Sequence, residues 1–182
     1  LAPPVSVIYT FPTALRHDND FMQVEMNFPN LYILPNLKTR LRDGTPDPDG
    51  LERLRDILTK RVKEDIFTSE ALTAIAELSG GIPRELITLG RQACLEARKS
   101  NQSQISKDDV ERAARRKRMD YQVLLTTRQL DLLKQVHQTK NVENDAEHRA
   151  LLHNLSALEY RNDTGVWYDV HPLIKPLLTE GA

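Results

Sequence analysis

The stretch of sequence that decides the fold is Ser79-Gly80-Gly81-Ile82-Pro83-Arg84-Glu85-Leu86. Glycine is favoured just beyond the end of a helix, and proline is favoured at the first position of a helix. The stretch therefore predicts one helix that ends at the glycine pair and another that begins at Pro83. Apolar residues at helical spacing on both sides favour a mainly helical protein.

Arg84 falls in the first turn of the second predicted helix, where the macrodipole is positive and a cation is normally disfavoured. An anion from outside the segment, such as a nucleotide phosphate, would give this arginine a reason to be there. The alternative is a solvated surface arginine whose charge is relieved by Glu77 or Glu85. The local sequence leaves both interpretations open.

Composition limits the class of protein. The chain has 182 residues, 40% of them hydrophobic, a mean hydropathy of −0.50 and a net charge of −1. No segment reaches the roughly 18 apolar residues of a membrane span, so we expect no membrane partner.

A single cysteine, Cys94, cannot form an internal disulfide and suits the reducing cytoplasm. The start at Leu1 has neither an initiator methionine nor a signal pattern, and we interpret it as cut from a longer chain.

Helical periodicity predicts four helices after the turn-rich loop at 43–50. The first carries an apolar stripe from Leu51 to Val62, the second begins near Thr68, and the third runs from Pro83 to about Lys99. The fourth begins at a capping box at Ser106 and continues to about Leu125.

Short β-rich runs lie on either side of these helices. Val5–Tyr9 and Leu31–Leu34 are predicted to be strands at the end of a larger sheet. Two further helices, which begin at Thr126 and near Asp145, precede two β runs that flank the Asn/Asp/Gly turn at 161–165. Helices followed by such a hairpin are the order of a winged-helix module.

Residues 65–114 resemble the helical lid of AAA+ and related STAND-type ATPases, and are similar to the lid of replication-initiator-like AAA+ proteins. The resemblance rests on a helix, a Gly-x-x-Arg turn, a long helix and a following helix with the pattern I…V..A. It implies three parts: a C-terminal remnant of an α/β P-loop ATPase core at 1–42, a helical lid domain at 43–125 and a winged-helix domain at 126–182. The expected fold class is thus mainly α, with a short β remnant at the N-terminus.

The resemblance also implies two nucleotide-sensing residues. Arg84 occupies the sensor-2 position, whose arginine reaches the terminal phosphate of the nucleotide, and Thr10 falls where the sensor-1 polar residue is expected. The chain contains no Gly-x-x-x-x-Gly-Lys-[Ser/Thr] loop and no strand ending in paired acids for Mg²⁺. We therefore assign no catalytic residue to the chain, expect no cofactor for it in isolation, and expect ATP with Mg²⁺ to bind a parent ATPase through a missing N-terminal core.

Candidate nucleic-acid contacts are confined to five arginines. Arg112, Arg115 and Arg116 share a helical face, although a solvated face is the favoured interpretation. Arg149 and Arg161 belong to the winged-helix region, where six Lys and Arg oppose eight Asp and Glu, a balance of −2. That balance favours a protein partner or the ATPase core over DNA as the contact of this module.

Two alternatives to the ATPase interpretation stay open, namely a winged-helix transcription regulator and a helical adaptor with no link to nucleotides. The histidines and the cysteine show no metal-ligand spacing, so we expect no metal site.

Weak binding to duplex DNA is the first testable prediction. Because phosphate neutralisation dominates DNA affinity, the balance of −2 predicts weak binding of random duplexes at about 150 mM salt. Fluorescence anisotropy with a labelled duplex measures it. Tight binding that is lost in Arg149→Ala or Arg161→Ala would show that the charge argument is wrong.

Overall fold

The computed structural model describes residues 7–28, 30–63, 65–163 and 165–179. Within them it contains seven α-helices and one two-stranded antiparallel sheet, so the predicted mainly α class is confirmed. The elements are α1 (Phe21–Asn27), α2 (Pro48–Thr59), α3 (Ser69–Leu78), α4 (Pro83–Lys99), α5 (Lys107–Leu124), α6 (Thr127–Thr139), α7 (Ala146–His153), β1 (Ala157–Asn162) and β2 (Gly165–Val170), with 3₁₀ turns at Thr13–His17 and Lys175–Leu178.

The starts of α3 and α5 are set by capping, as the sequence predicts, whereas α2 begins at Pro48, inside the predicted loop at 43–50. The Thr68 hydroxyl accepts a hydrogen bond from the Ala71 backbone N–H at 3.1 Å at the start of α3. At the start of α5, Ser106 and Asp109 form the predicted capping box, in which the carboxylate accepts from the Ser106 backbone N–H at 2.9 Å. These bonds satisfy N–H groups that have no partner within the helix.

The C-terminal part has the predicted order of two helices and a hairpin. A capping box of Thr126 and Gln129 opens α6, and the Asp145 side chain caps α7. The strands β1 and β2 pair in register from Ala157 opposite Val170 to Asn162 opposite Gly165. We refer to residues 126–179 as the C-terminal module.

The predicted N-terminal strands are wrong for the residues that the structure describes. Residues 5 and 6 lie outside that part, while 7–9 and 31–34 are irregular. Tyr32 and Leu34 are 90% and 91% exposed. β-Branched and aromatic residues favour a pleated, half-buried surface, but a strand also needs a neighbour to pair with. In the described residues neither segment has a strand partner, and the nearby helix α1 was not predicted from the sequence.

The helical bundle and the C-terminal module share one hydrophobic core. Leu54, Leu86 and Val110 of the bundle belong to the same buried cluster as Leu133 and Ile174 of the module. Among the described residues, no helix combines the length and the apolar composition that a membrane crossing requires.

The Gly80-Gly81 turn lies at the junction of these parts. Both glycines have left-handed backbone conformations, with φ of 62° and 83°. The Gly81 carbonyl accepts a hydrogen bond from the Leu37 backbone N–H at 3.2 Å, and the Gly80 carbonyl accepts one from the Tyr160 hydroxyl at 2.8 Å. The turn therefore holds the start of α4 against both an N-terminal segment and the hairpin.

Substitution at Gly81 tests how tightly this turn is packed. A Cβ at Gly81 would overlap the Leu37 carbonyl oxygen, whereas one at Gly44, which also has positive φ, would meet open space. We expect Gly44→Ala to cost about 1 kcal/mol from backbone strain alone, and Gly81→Ala to cost more than about 2 kcal/mol. Urea unfolding measures both, and equal losses would contradict the close approach.

Candidate functional site

A cavity of about 460 Å³ opens between the N-terminal segment, the start of α4 and the C-terminal module. Arg84 and Thr10, the two predicted nucleotide-sensing residues, both line it, although 74 positions separate them in the chain. Asn36 adds an amide to the polar lining, while Leu152 and Leu158 supply apolar wall. The structure thus brings the two predicted residues into one site.

Arg84 has no ion pair or hydrogen bond to a side chain among the described residues, and it is exposed. The two carboxylates that could have relieved its charge are engaged elsewhere. Glu77 pairs with Arg40 at 3.7 Å, and Glu85 pairs with Lys117 of α5. Arg84 is therefore an exposed arginine, as the local alternative has it, but neither Glu77 nor Glu85 relieves its charge.

Thr10 reaches the cavity from irregular backbone rather than from the end of a strand. It is exposed, and its neighbours Phe11 and Pro12 also line the cavity. The β-propensity that suggested a strand end was therefore a wrong guide to local structure, although the residue does line the site.

The far wall of the cavity is organised by Glu159 of β1, which is buried. Its carboxylate accepts from His17 at 3.1 Å and from Arg161 at 2.7 Å, and Arg16 lies at 3.8 Å. Burial alone would raise the pKa of Glu159, but the hydrogen bonds from His17 and Arg161 outweigh it and hold the pKa below its ordinary value. Sequence reasoning missed this cluster because His17 and Glu159 are 142 positions apart.

Ion pairing compensates most of the charges that the described residues bring to the cavity. His17 and Glu159 pair with each other, and His153 pairs with Asp18 at 3.0 Å. Among the described residues that line the cavity, Arg84 is the one charged side chain without an ion-pair partner. An anion that entered the cavity would therefore find its counter-charge at the first turn of α4, where backbone N–H groups also point outward.

The predicted basic face of α5 is largely compensated by acids. Arg112 pairs with Asp109, and Arg116 lies 3.5 Å from Glu96 of α4. Arg115 is exposed, and the described residues offer it no ion-pair partner. None of these three arginines lines the cavity.

The predicted nucleic-acid contacts of the module are also engaged within the chain. Arg149 donates to the Asn144 side chain at 3.1 Å. Arg161 pairs with Glu159, not with the nearby Asp163. Arg128 pairs with Glu147 at 2.7 Å.

Asp169 of β2 accounts for two more cations of the module. It is buried and accepts from His137 at 2.7 Å, Lys175 at 2.8 Å and Lys140 at 3.0 Å. Burial would raise its pKa, but these hydrogen bonds keep the pKa below its usual value. With Lys134 held by Asp131 at 3.4 Å, every Lys and Arg in the described part of the module already has a polar partner within the chain.

No group of three or more His, Cys, Asp or Glu side chains in the described part of the chain could hold a metal ion. No model of a known protein family matches the sequence, and a comparison with curated proteins also finds no match.

Replacing Arg84 tests whether it has a structural partner. Because Arg84 has no ion-pair partner in the described part of the chain and opposes the macrodipole by about 0.3–1 kcal/mol, Arg84→Ala should leave the melting temperature unchanged or slightly raise it. Glu85→Ala, in the same turn, is the matched control, because it leaves the half-buried Lys117 without its partner and should cost about 1–3 kcal/mol. Thermal unfolding followed by circular dichroism measures both, and unfolding of Arg84→Ala would reveal a structural ion pair.

Proposed function

We propose that this chain is the nucleotide-sensing lid and winged-helix region of a multidomain P-loop ATPase of the AAA+ or STAND type. The observation that carries the proposal is Arg84, the uncompensated cation on a cavity that Thr10 and Asn36 also line. In this proposal the phosphate loop and the Mg²⁺-holding acids belong to a preceding core, and the chain alone does not catalyse hydrolysis.

The chain's own groups suit the recognition of a phosphate. The Arg84 guanidinium carries a fixed charge and presents several donors, so it can form a bidentate contact with phosphate oxygens. The Thr10 hydroxyl is a neutral donor on the same cavity, and the Asn36 amide, which donates one N–H to the Glu159 backbone carbonyl at 3.1 Å, has a second N–H to offer. Bound ATP would supply the terminal phosphate, and Arg84 would stabilise the negative charge that develops there.

Lid movement has a direct route to the C-terminal module. Arg84 lies four residues after Gly80, and the Gly80 carbonyl accepts a hydrogen bond from the Tyr160 hydroxyl of β1. Tyr160 stacks on Trp167 of β2 with ring centroids 4.6 Å apart, and both rings are buried. If nucleotide binding shifted the first turn of α4, the hydrogen bond from Tyr160 to Gly80 would therefore transmit that shift to the hairpin.

The module's role in this proposal is contact with a protein or with the ATPase core. The internal pairing of its cations supports that role over duplex binding, because paired cations release fewer counterions from DNA. We also propose a cytoplasmic location, in keeping with the single thiol of Cys94, which is partly buried and free and whose pKa is raised by burial.

Hydrolysis by the full-length protein is the decisive test. The proposal requires a Gly-x-x-x-x-Gly-Lys-[Ser/Thr] loop within about 200 residues before Leu1 in the gene, and its absence would refute the ATPase link. In that full-length protein we expect Arg84→Ala to reduce turnover by about ten-fold or more, somewhat less than the loss of an arginine finger.

Arg53→Ala is the matched control, because Arg53 is an exposed arginine on α2 that does not line the cavity. We expect it to keep the wild-type rate in a steady-state phosphate-release assay. A wild-type rate for Arg84→Ala would overturn the sensing role.

A further inference from the structure

The solvent side of α4 carries a pattern that the proposed sensing role of Arg84 does not use. Ile87, Arg91, Leu95 and Arg98 follow one another at intervals of four, four and three residues. At 3.6 residues per turn, these positions fall within an arc of about 80° on one side of the helix. The opposite side holds the core residues of α4, among them Leu86 and Ala93. We call these four residues the α4 outer face.

Two features of this face are those of a surface that binds a partner. Ile87 and Leu95 are 42% and 53% exposed, although they are large aliphatic side chains. Arg91 and Arg98 are exposed and have no ion pair or side-chain hydrogen bond within the described residues. Arginine is enriched at protein interfaces and is often a hot spot there, and exposed aliphatic side chains gain stability when a partner removes them from water.

The acids of α4 do not relieve the charge of this face. Glu96 lies on the flank that packs against α5, and contacts Lys99 at 2.7 Å and Arg116 at 3.5 Å. Glu85 forms an ion pair with Lys117 of α5 and is likewise unavailable to Arg91 and Arg98. The α4 outer face is therefore positive and apolar at once.

We propose that the α4 outer face is a docking surface for an acidic amphipathic helix of a protein partner. Arg91 and Arg98 lie about 10.5 Å apart along the axis, which is the seven-residue repeat at which a second helix can place two carboxylates. Ile87 and Leu95 bracket Arg91 and would pack against the apolar stripe of that helix. A nucleic-acid backbone would satisfy the two arginines but would leave both aliphatic side chains without apolar contact.

A designed peptide tests this surface on the full chain. The probe is a labelled helix of about 21 residues, three heptads long, with leucines on one stripe and glutamates at seven-residue spacing beside it. A peptide of the same composition in scrambled order is its control. At about 150 mM salt we expect saturable binding of the patterned peptide, measured by fluorescence anisotropy, and at least about ten-fold weaker binding of the scrambled one.

Charge reversal identifies the residues involved. Arg91→Glu/Arg98→Glu should weaken binding by at least about ten-fold, and Leu95→Ser should weaken it by several-fold. Arg53→Glu/Lys60→Glu is the control, because it reverses two exposed cations that are also seven residues apart, Arg53 on α2 and Lys60 at the C-cap of that helix. That control should bind within about two-fold of the wild type.

A reversed peptide provides the rescue, since lysines in place of its glutamates should restore binding to Arg91→Glu/Arg98→Glu. Circular dichroism of each variant establishes that the helices are intact. The proposal is overturned if the patterned peptide does not bind, or if the scrambled peptide binds as tightly as the patterned one. It is equally overturned if the α2 control variant loses binding as Arg91→Glu/Arg98→Glu does, or if Arg91→Glu/Arg98→Glu has no effect. A further contradicting result would be an oligonucleotide that binds the wild type more tightly than the peptide does and no longer binds Arg91→Glu/Arg98→Glu. None of these outcomes depends on ATP.

Discussion

The arrangement of this protein depends on the left-handed turn at Gly80-Gly81. Both residues adopt positive φ, which costs little for glycine but is strained for other residues. The absence of side chains also lets the Leu37 backbone approach Gly81 closely. Once the turn is formed, its two carbonyls accept from Leu37 and Tyr160, and α4 leaves it in the direction that brings Arg84 to the cavity. The same two glycines therefore set the local backbone conformation and accept the long-range contacts that position α4.

Electrostatic compensation inside the C-terminal module decides which charges are left to act on other molecules. Glu159 and Asp169 are buried acids that pair with several basic side chains, some of them nearby in sequence and one, His17, 142 positions from Glu159. Buried ion pairs are weak evidence for stability, because desolvation offsets much of their attraction. These ion pairs reduce the number of cations that are available to other molecules, since a cation already paired with Glu159 or Asp169 is not free to neutralise an external phosphate. Among the described residues, Arg84, Arg91 and Arg98 of α4 have no ion-pair partner, so the free positive charge lies on α4 rather than on the C-terminal module.

Much of the helical framework could be predicted from the sequence because its determinants are local. The capping boxes at Ser106 and Thr126 join residues three positions apart, and both appear in the structure as the spacing predicts. Pro83 marks the first residue of α4 for an equally local reason, since its missing N–H needs no partner there. Of the candidate site, the sequence drew attention to Arg84 through its position against the macrodipole but left its role open, and the sensing roles of Arg84 and Thr10 came from resemblance alone.

The amino-acid sequence by itself determined the starts of α3 to α7, the glycine turn and the hairpin, because each of these depends on residues within a few positions of one another. Tertiary structure decided the fate of the N-terminal β-rich segments, since strand formation needs a neighbouring strand and the described residues provide none for 7–9 or 31–34. It also decided that His17 meets Glu159 and that Thr10 lies on the same cavity as Arg84. Such contacts join residues far apart in the chain, and periodicity carries no information about them because they form only when the packed elements bring those residues together.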